Sequence, residues 1–140
     1  MTIESAQILT VETIPSYLAS RLHDLKGVID SVDDIQSIEA IVGGNVNYAF
    51  CITLVNKDDG NAKVFLKQAP EFVAIFGPDG FPLTSERMQR EMDVYSEWKE
   101  LLSDHPTTAK MLPDIFYFDS TSLLYVVCMV GLIGCNNNPK

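Results

Sequence analysis

Two charged residues in this sequence sit where their neighbours do not suit a charge: Lys67, in Val64-Phe65-Leu66-Lys67-Gln68-Ala69, and Glu91, in Arg90-Glu91-Met92. Lys67 lies near the end of a run rich in β-branched and aromatic residues. Glu91 stands three residues after Met88, three before Val94 and four before Tyr95. At helical spacing that puts it inside an apolar face rather than opposite one. An unpaired carboxylate buried there costs several kcal/mol, so Glu91 calls for a cationic or hydrogen-bonding partner. Arg87, one helical turn earlier, is the local candidate, for a modest pair of about 0.3–0.5 kcal/mol. Lys67 is the distant candidate, although a strand lysine is ordinarily just the solvent-facing residue. A third feature is the stretch Ile41 to Phe50, IVGGNVNYAF. Gly43 and Gly44 suit a tight hairpin turn. They equally suit a backbone that approaches a ligand closely, with Asn45 and Asn47 beside it. On this segment alone both readings stand.

The elements that position these residues are legible from periodicity. TIPSYLASRLHDLKG reads as an N-terminal helix with Thr13 as cap, Pro15 in the first turn and Gly27 as stop. Its apolar face is Ile14, Tyr17, Leu18, Leu22 and Leu25, and His23 falls off that stripe into solvent. IQSIEAIV, VNYAFCITLV and AKVFLKQA read as three antiparallel strands, with a hairpin loop from Asn56 to Asn61. PEFVAIFGPDGFPLT, with its prolines and glycines, reads as an irregular connection. SERMQREMDVYSEWKELLSDH is the longest helix, capped by Thr84 or Ser85. Met88, Met92, Tyr95 and Leu102 form one apolar row of it and Val94, Trp98 and Leu101 the neighbouring row. DIFYFD and SLLYVVCMVGLI read as two further strands, turning at Asp119-Ser120-Thr121. The expected fold class is therefore α+β: a five-stranded antiparallel sheet, an N-terminal helix and one long helix after the third strand.

The totals narrow the function classes. A chain of 140 residues supports one core, and its formal charge of −9 argues against a nucleic-acid groove or an anionic membrane surface. Cys51, Cys128 and Cys135 form no CxxC pair, and only His23 and His105 accompany them, so no zinc-ligand spacing exists. The cysteines read as buried or idle thiols of a reducing compartment. No signal or transit peptide is recognisable, and the most apolar run, Leu123 to Gly134, is shorter than the ~20 residues of a spanning helix. A cytoplasmic location is expected.

Taken jointly, a glycine turn between strands one and two, a lysine on strand three and a glutamate on the next helix match the small lobe of the protein-kinase fold. There the lysine grips nucleotide phosphates and the glutamate holds the lysine extended and ionised. Longer stretches carry a closer likeness. GGNVNYAF resembles the G-D-G-N-L-N-x-V-F segment of 5-methylthioribose kinases, and VFLKQAPEFVAIFGPDGFPLTSERMQREMDVY is similar to their K-Q-A-x-P-x…G-x-x-W-P-L-T-x-x-R…E block. LTVETIPSYL resembles the family's opening, and LPDIFYFD its P-x-V-Y-x-x-D stretch. The likeness runs from about Leu9 to Asp119. It departs at Gly43-Gly44, which replaces G-D-G, at Phe81, which replaces tryptophan, and after Tyr125. There VVCMVGLIGCNNNPK stands in place of an acidic M-E-D-L hinge.

The resemblance implies an ATP-dependent kinase that phosphorylates methylthioribose in methionine salvage. Residues 1–130 would be its nucleotide-binding lobe and 131–140 a tail outside the family pattern. Carried over, Lys67 contacts the phosphates of ATP, Glu91 orients Lys67, and Gly43, Gly44, Asn45 and Asn47 cover the phosphates. The backbone around Cys128 and Met129 would meet adenine. The family's acceptor-side base and Mg²⁺ carboxylates lie in H-G-D and D-x-E motifs of a large lobe. Neither motif occurs in these 140 residues, so no catalytic residue and no metal ligand is assigned. The chain alone is expected to be a catalytically incompetent fragment. Two alternatives remain: the lobe of a choline- or aminoglycoside-type kinase, and a non-catalytic binding or dimerisation module with Lys67–Glu91 as a structural ion pair. Partners would be ATP and methylthioribose, with a homodimer expected from the family and neither nucleic acid nor membrane.

Overall fold

The period-two alternation of the third predicted strand is the organising feature. In the computed structural model this strand presents Val64, Leu66 and Gln68 to one side, all buried, and Phe65 and Lys67 to the other. The model describes residues 7–44, 46–56, 60–84, 86–121 and 124–128, with backbone alone at 56, 60, 61 and 124–128.

The fold is α+β. Strands β1 (Ile35–Ala40), β2 (Tyr48–Asn56) and β3 (Gly60–Gln68) form an antiparallel meander. The β2–β3 register runs from Tyr48 opposite Gln68 to Asn56 opposite Gly60, so the ladder extends into the loop expected from Asn56 to Asn61, of which residues 57–59 lie outside those described. Strand β5 (Leu124–Cys128) pairs with the free edge of β3, and β4 (Asp114–Asp119) pairs with β5. The sheet order is β1-β2-β3-β5-β4. Met129 and the tail 131–140 lie outside the described residues.

Each face of the sheet carries its own layer. The N-terminal helices α1 (Ile14–Ala19) and α2 (Leu22–Leu25) cover one, where Ile14, Leu18 and Leu25 pack with Phe50, Ile52 and Leu66. Burying such side chains contributes about 1.5–3 kcal/mol each and is the main stabilising term. Helix α3 (Glu86–Leu101) covers the other face through Met88 and Met92, with Phe65, Tyr95, Ile115 and Phe118 against them.

Local chemistry explains where the elements depart from expectation. The single N-terminal helix is broken at Ser20-Arg21, where the Ser20 hydroxyl donates to the Tyr17 carbonyl at 2.6 Å and so competes with the helical ladder. Thr13 stands at the N-cap position without making a cap bond; its Oγ1 instead accepts from the Thr10 amide at 2.9 Å. Gly27 ends the segment with φ +91°, a left-handed conformation that favours glycine. Ahead of α3, the Thr84 hydroxyl accepts from the Glu86 amide at 3.3 Å; Ser85, the alternative cap, lies outside the described residues. A short helix α4 (Pro106–Ala109) opens on a proline, and periodicity over four residues is too brief to reveal it. The second apolar row of α3 is only partly covered: Val94, Trp98 and Leu101 are all exposed, because the helix meets the sheet through Met88 and Met92.

Cys51 is disulfide-bonded, which corrects the expectation of three idle thiols. Both other cysteines lie where side chains are not described. No helix among the described residues is long and apolar enough to cross a membrane.

Two buried polar side chains fasten the N-terminal segment to the sheet. Gln68, 1% exposed, accepts from the Leu9 amide at 2.9 Å and donates to the Gln7 carbonyl at 2.8 Å. Asp119, at the end of β4, accepts from the Tyr17 hydroxyl at 2.6 Å, Arg21 at 3.4 Å and the Thr121 amide at 3.0 Å. Gln68→Leu keeps the volume but orphans a buried amide, and should cost about 1–3 kcal/mol in urea unfolding while loosening the segment before Ile14 to proteolysis. Burial, reinforced by the bond to Asp119, raises the Tyr17 pKa far above its ordinary value of 10.0. The neutral phenol is thus favoured by folding. Its stabilisation is complete below pH 10.0 and declines as pH climbs above that value. Urea titrations from pH 9 to 11 should show this decline, and Tyr17→Phe should flatten it.

Candidate functional site

Lys67 and Glu91 meet. Lys67 Nζ donates to Glu91 Oε1 at 2.8 Å and to Oε2 at 3.1 Å, a two-oxygen ion pair across the gap between β3 and α3. The side chains are 20% and 31% exposed, so the pair is neither dry nor fully screened. Strand alternation sends Lys67 to the α3 side, and the Met88/Met92 contact sets the helix so that Glu91 faces the strand. The contact expected between the two is therefore present.

The local candidate, Arg87, is engaged elsewhere. Its Nη1 donates to Asn47 Oδ1 at 2.6 Å and its Nη2 to the Pro70 carbonyl at 2.6 Å. Burial lowers its pKa from the ordinary guanidinium value, and the charge of Glu91 offsets part of that effect. The Nε atom is buried and makes no hydrogen bond among the described residues. One helix thus grips the sheet by two rungs a turn apart, Glu91 to β3 and Arg87 to the chain entering β2.

The glycine turn joins β1 to β2. Gly43 has φ +112°, and a Cβ built there would meet nothing within 4 Å. Glycine is needed for its backbone conformation, not for lack of room. Gly44 is exposed; Asn45 lies outside the described residues. The turn is tethered to the connection after β3, where the Ala74 amide donates to the Val46 carbonyl at 3.1 Å. That connection is more ordered than its prolines suggested. The Val73 amide bonds the Phe81 carbonyl at 3.0 Å, and the Phe76 and Phe81 rings meet edge-on at 5.6 Å. Phe81 itself is 67% exposed.

A groove of about 530 Å³ opens beside the turn, lined by apolar groups such as Leu9, Val11, Ile41, Tyr48, Phe50 and Ile75. Neither Lys67 nor Glu91 lines it, and Tyr48 and Phe50 belong to the face covered by the N-terminal helices. Gly43, Gly44 and Asn47 also line it, so the groove reaches the turn but not the Lys67–Glu91 pair. Cys128 ends β5 opposite Val64, three residues beyond Tyr125, which pairs with Lys67; Met129 is not described. No group of three or more metal-binding side chains occurs among the described residues.

Sequence reasoning missed the positioning role of three residues. Gln68 was given no role, Arg87 only that of a local partner for Glu91, and Asp119 only that of a turn residue. For Gln68 the signal was available: an amide at an inward-facing strand position has to be satisfied. For Arg87 the partner is forty residues away in sequence, beyond any local pattern.

No protein-family model matches this chain, and comparison with curated proteins gives no significant match.

Glu91→Ala should destabilise the fold by about 1–3 kcal/mol in urea, because it leaves a half-buried ammonium without its carboxylate. The double variant Lys67→Met/Glu91→Met should recover most of that loss, since it removes both charges together. A double-mutant cycle reads the coupling directly.

Proposed function

We propose that this chain is the nucleotide-binding lobe of a small-molecule kinase of the 5-methylthioribose kinase type. The single observation that carries the reading is the Lys67–Glu91 pair, 2.8 Å long, on the same side of the sheet as Asn47 at the end of the glycine turn. An ammonium held extended by a carboxylate, beside a turn whose glycine frees the backbone, suits the phosphates of ATP. Lys67 would contact those phosphates. Gly43 and Gly44, with Asn45 and Asn47, would cover them, and the chain around Cys128 and Met129 would border the adenine. Bound ATP would supply the transferable phosphoryl group, with methylthioribose as acceptor in the family that the sequence resembles.

The exposed row Val94, Trp98 and Leu101 on α3 supports the lobe reading, because a second lobe would cover part of that helix. These residues bring neither H-G-D nor D-x-E and form no carboxylate cluster among those described, so binding without turnover is the activity proposed for them.

Isothermal titration of ATP against the wild type and Lys67→Ala tests the reading. Wild-type binding weakened about tenfold or more in the variant supports a phosphate-gripping lysine. Equal affinities would make Lys67–Glu91 a structural ion pair only. Phosphorylated methylthioribose formed by these residues with Mg²⁺ and ATP would refute the absence of turnover.

A further inference from the structure

We infer that Arg87 is a positioning residue: it fixes the side-chain amide of Asn47 so that its NH₂ end, not its oxygen, is presented to a polyphosphate in the Lys67 cleft. The inference rests on the nucleotide-lobe reading and assigns a task that the glycine turn alone does not perform.

An asparagine amide offers an acceptor at one end and two donors at the other. Left to rotate, Asn47 presents either. A guanidinium only donates, so the end that meets Arg87 has to be the oxygen. The 2.6 Å contact from Arg87 Nη1 to Asn47 Oδ1 obeys that constraint. Arg87 is itself held from a second direction by the Pro70 carbonyl, also at 2.6 Å. It cannot follow the amide if the amide turns. Its partial burial limits the water that competes for the pair.

With the oxygen committed, the Asn47 NH₂ group projects from the opposite end of the planar amide and makes no hydrogen bond among the described residues. Its placement follows from the contact with Arg87 of α3, which lies on the side of the sheet that Lys67 faces. Ala49 lies opposite Lys67 in the β2–β3 register, and Asn47 stands just before β2 begins at Tyr48. Phosphoryl oxygens accept and do not donate. A cleft holding the Lys67 ammonium and a donor-directed amide therefore favours a polyphosphate over a ligand that presents donors. Arg87 needs no contact with the ligand to bring this about.

Asn47→Asp separates this role from simple bracing. An aspartate accepts from Arg87 at least as well as the amide oxygen, so the turn stays braced. The group facing the cleft, however, changes from a donor to an anionic acceptor. Binding of ATP and of tripolyphosphate should fall about tenfold or more, while adenosine binding and thermal midpoint stay near wild type. Arg87→Lys, which cannot span both acceptors with a planar fork, should weaken tripolyphosphate binding as well. In the unaltered protein, the Asn47 side-chain ¹⁵N–¹H₂ resonances should shift on adding tripolyphosphate and not on adding adenosine. Unchanged tripolyphosphate affinity in Asn47→Asp, or amide resonances indifferent to tripolyphosphate in a wild type that binds it, overturns the inference alone. A wild type that binds neither ATP nor tripolyphosphate removes the lobe reading and this inference with it.

Discussion

One constraint organises this molecule: a single sheet has to satisfy two unlike layers at once. On β3, Val64, Leu66 and Gln68 serve the N-terminal helices, and Phe65 and Lys67 serve α3. Shifting the register by one residue would exchange the two sets. Lys67 would then enter an apolar core, and Leu66 would face Glu91. The long β2–β3 ladder, paired from Tyr48–Gln68 to Asn56–Gly60, guards against that slip. The position of the charged cleft is thus a by-product of hydrophobic packing on the opposite face.

Around this sheet the joints are polar rather than apolar. Gln68 secures the incoming segment, Asp119 secures α1 to the last hairpin, and Arg87 secures the glycine turn to α3. Each uses a group that is expensive to bury unpaired and therefore specifies one geometry more sharply than another leucine would. The Arg21 guanidinium over the Tyr17 ring, 5.4 Å from its centroid, adds to the second joint. Apolar burial supplies most of the stability, and these fasteners decide which arrangement it stabilises.

How much of this could be read from residues alone depended on the range of the interaction. The Lys67–Glu91 contact was legible because a carboxylate on an apolar helix face demands a partner, and because β3 runs directly into the connection preceding α3. The apolar face of the N-terminal helices was legible for the same local reason, through Ile14, Leu18 and Leu25. The break at Ser20 was not, since a single hydroxyl bonding back to Tyr17 leaves the periodicity of its neighbours intact. Helical spacing offered Arg87 as the local alternative partner of Glu91. A carbonyl at Pro70 and an amide at Asn47 won because a fork with two fixed acceptors outcompetes a flexible surface pair. The row Val94, Trp98 and Leu101 was legible as apolar, but spacing does not say which surface covers it, and these side chains are exposed.

The bond between Tyr17 and Asp119 spans 102 positions of the chain. It therefore bears on the order in which the structure matures. Helices α1 and α2 leave the ribosome before the strands that shelter Ile14 and Leu18, and the carboxylate that anchors Tyr17 comes later still. Until β4 emerges, the beginning of the protein has a greasy surface and no dock for its phenol. In this order of elements, α1 is secured only after β4 has formed.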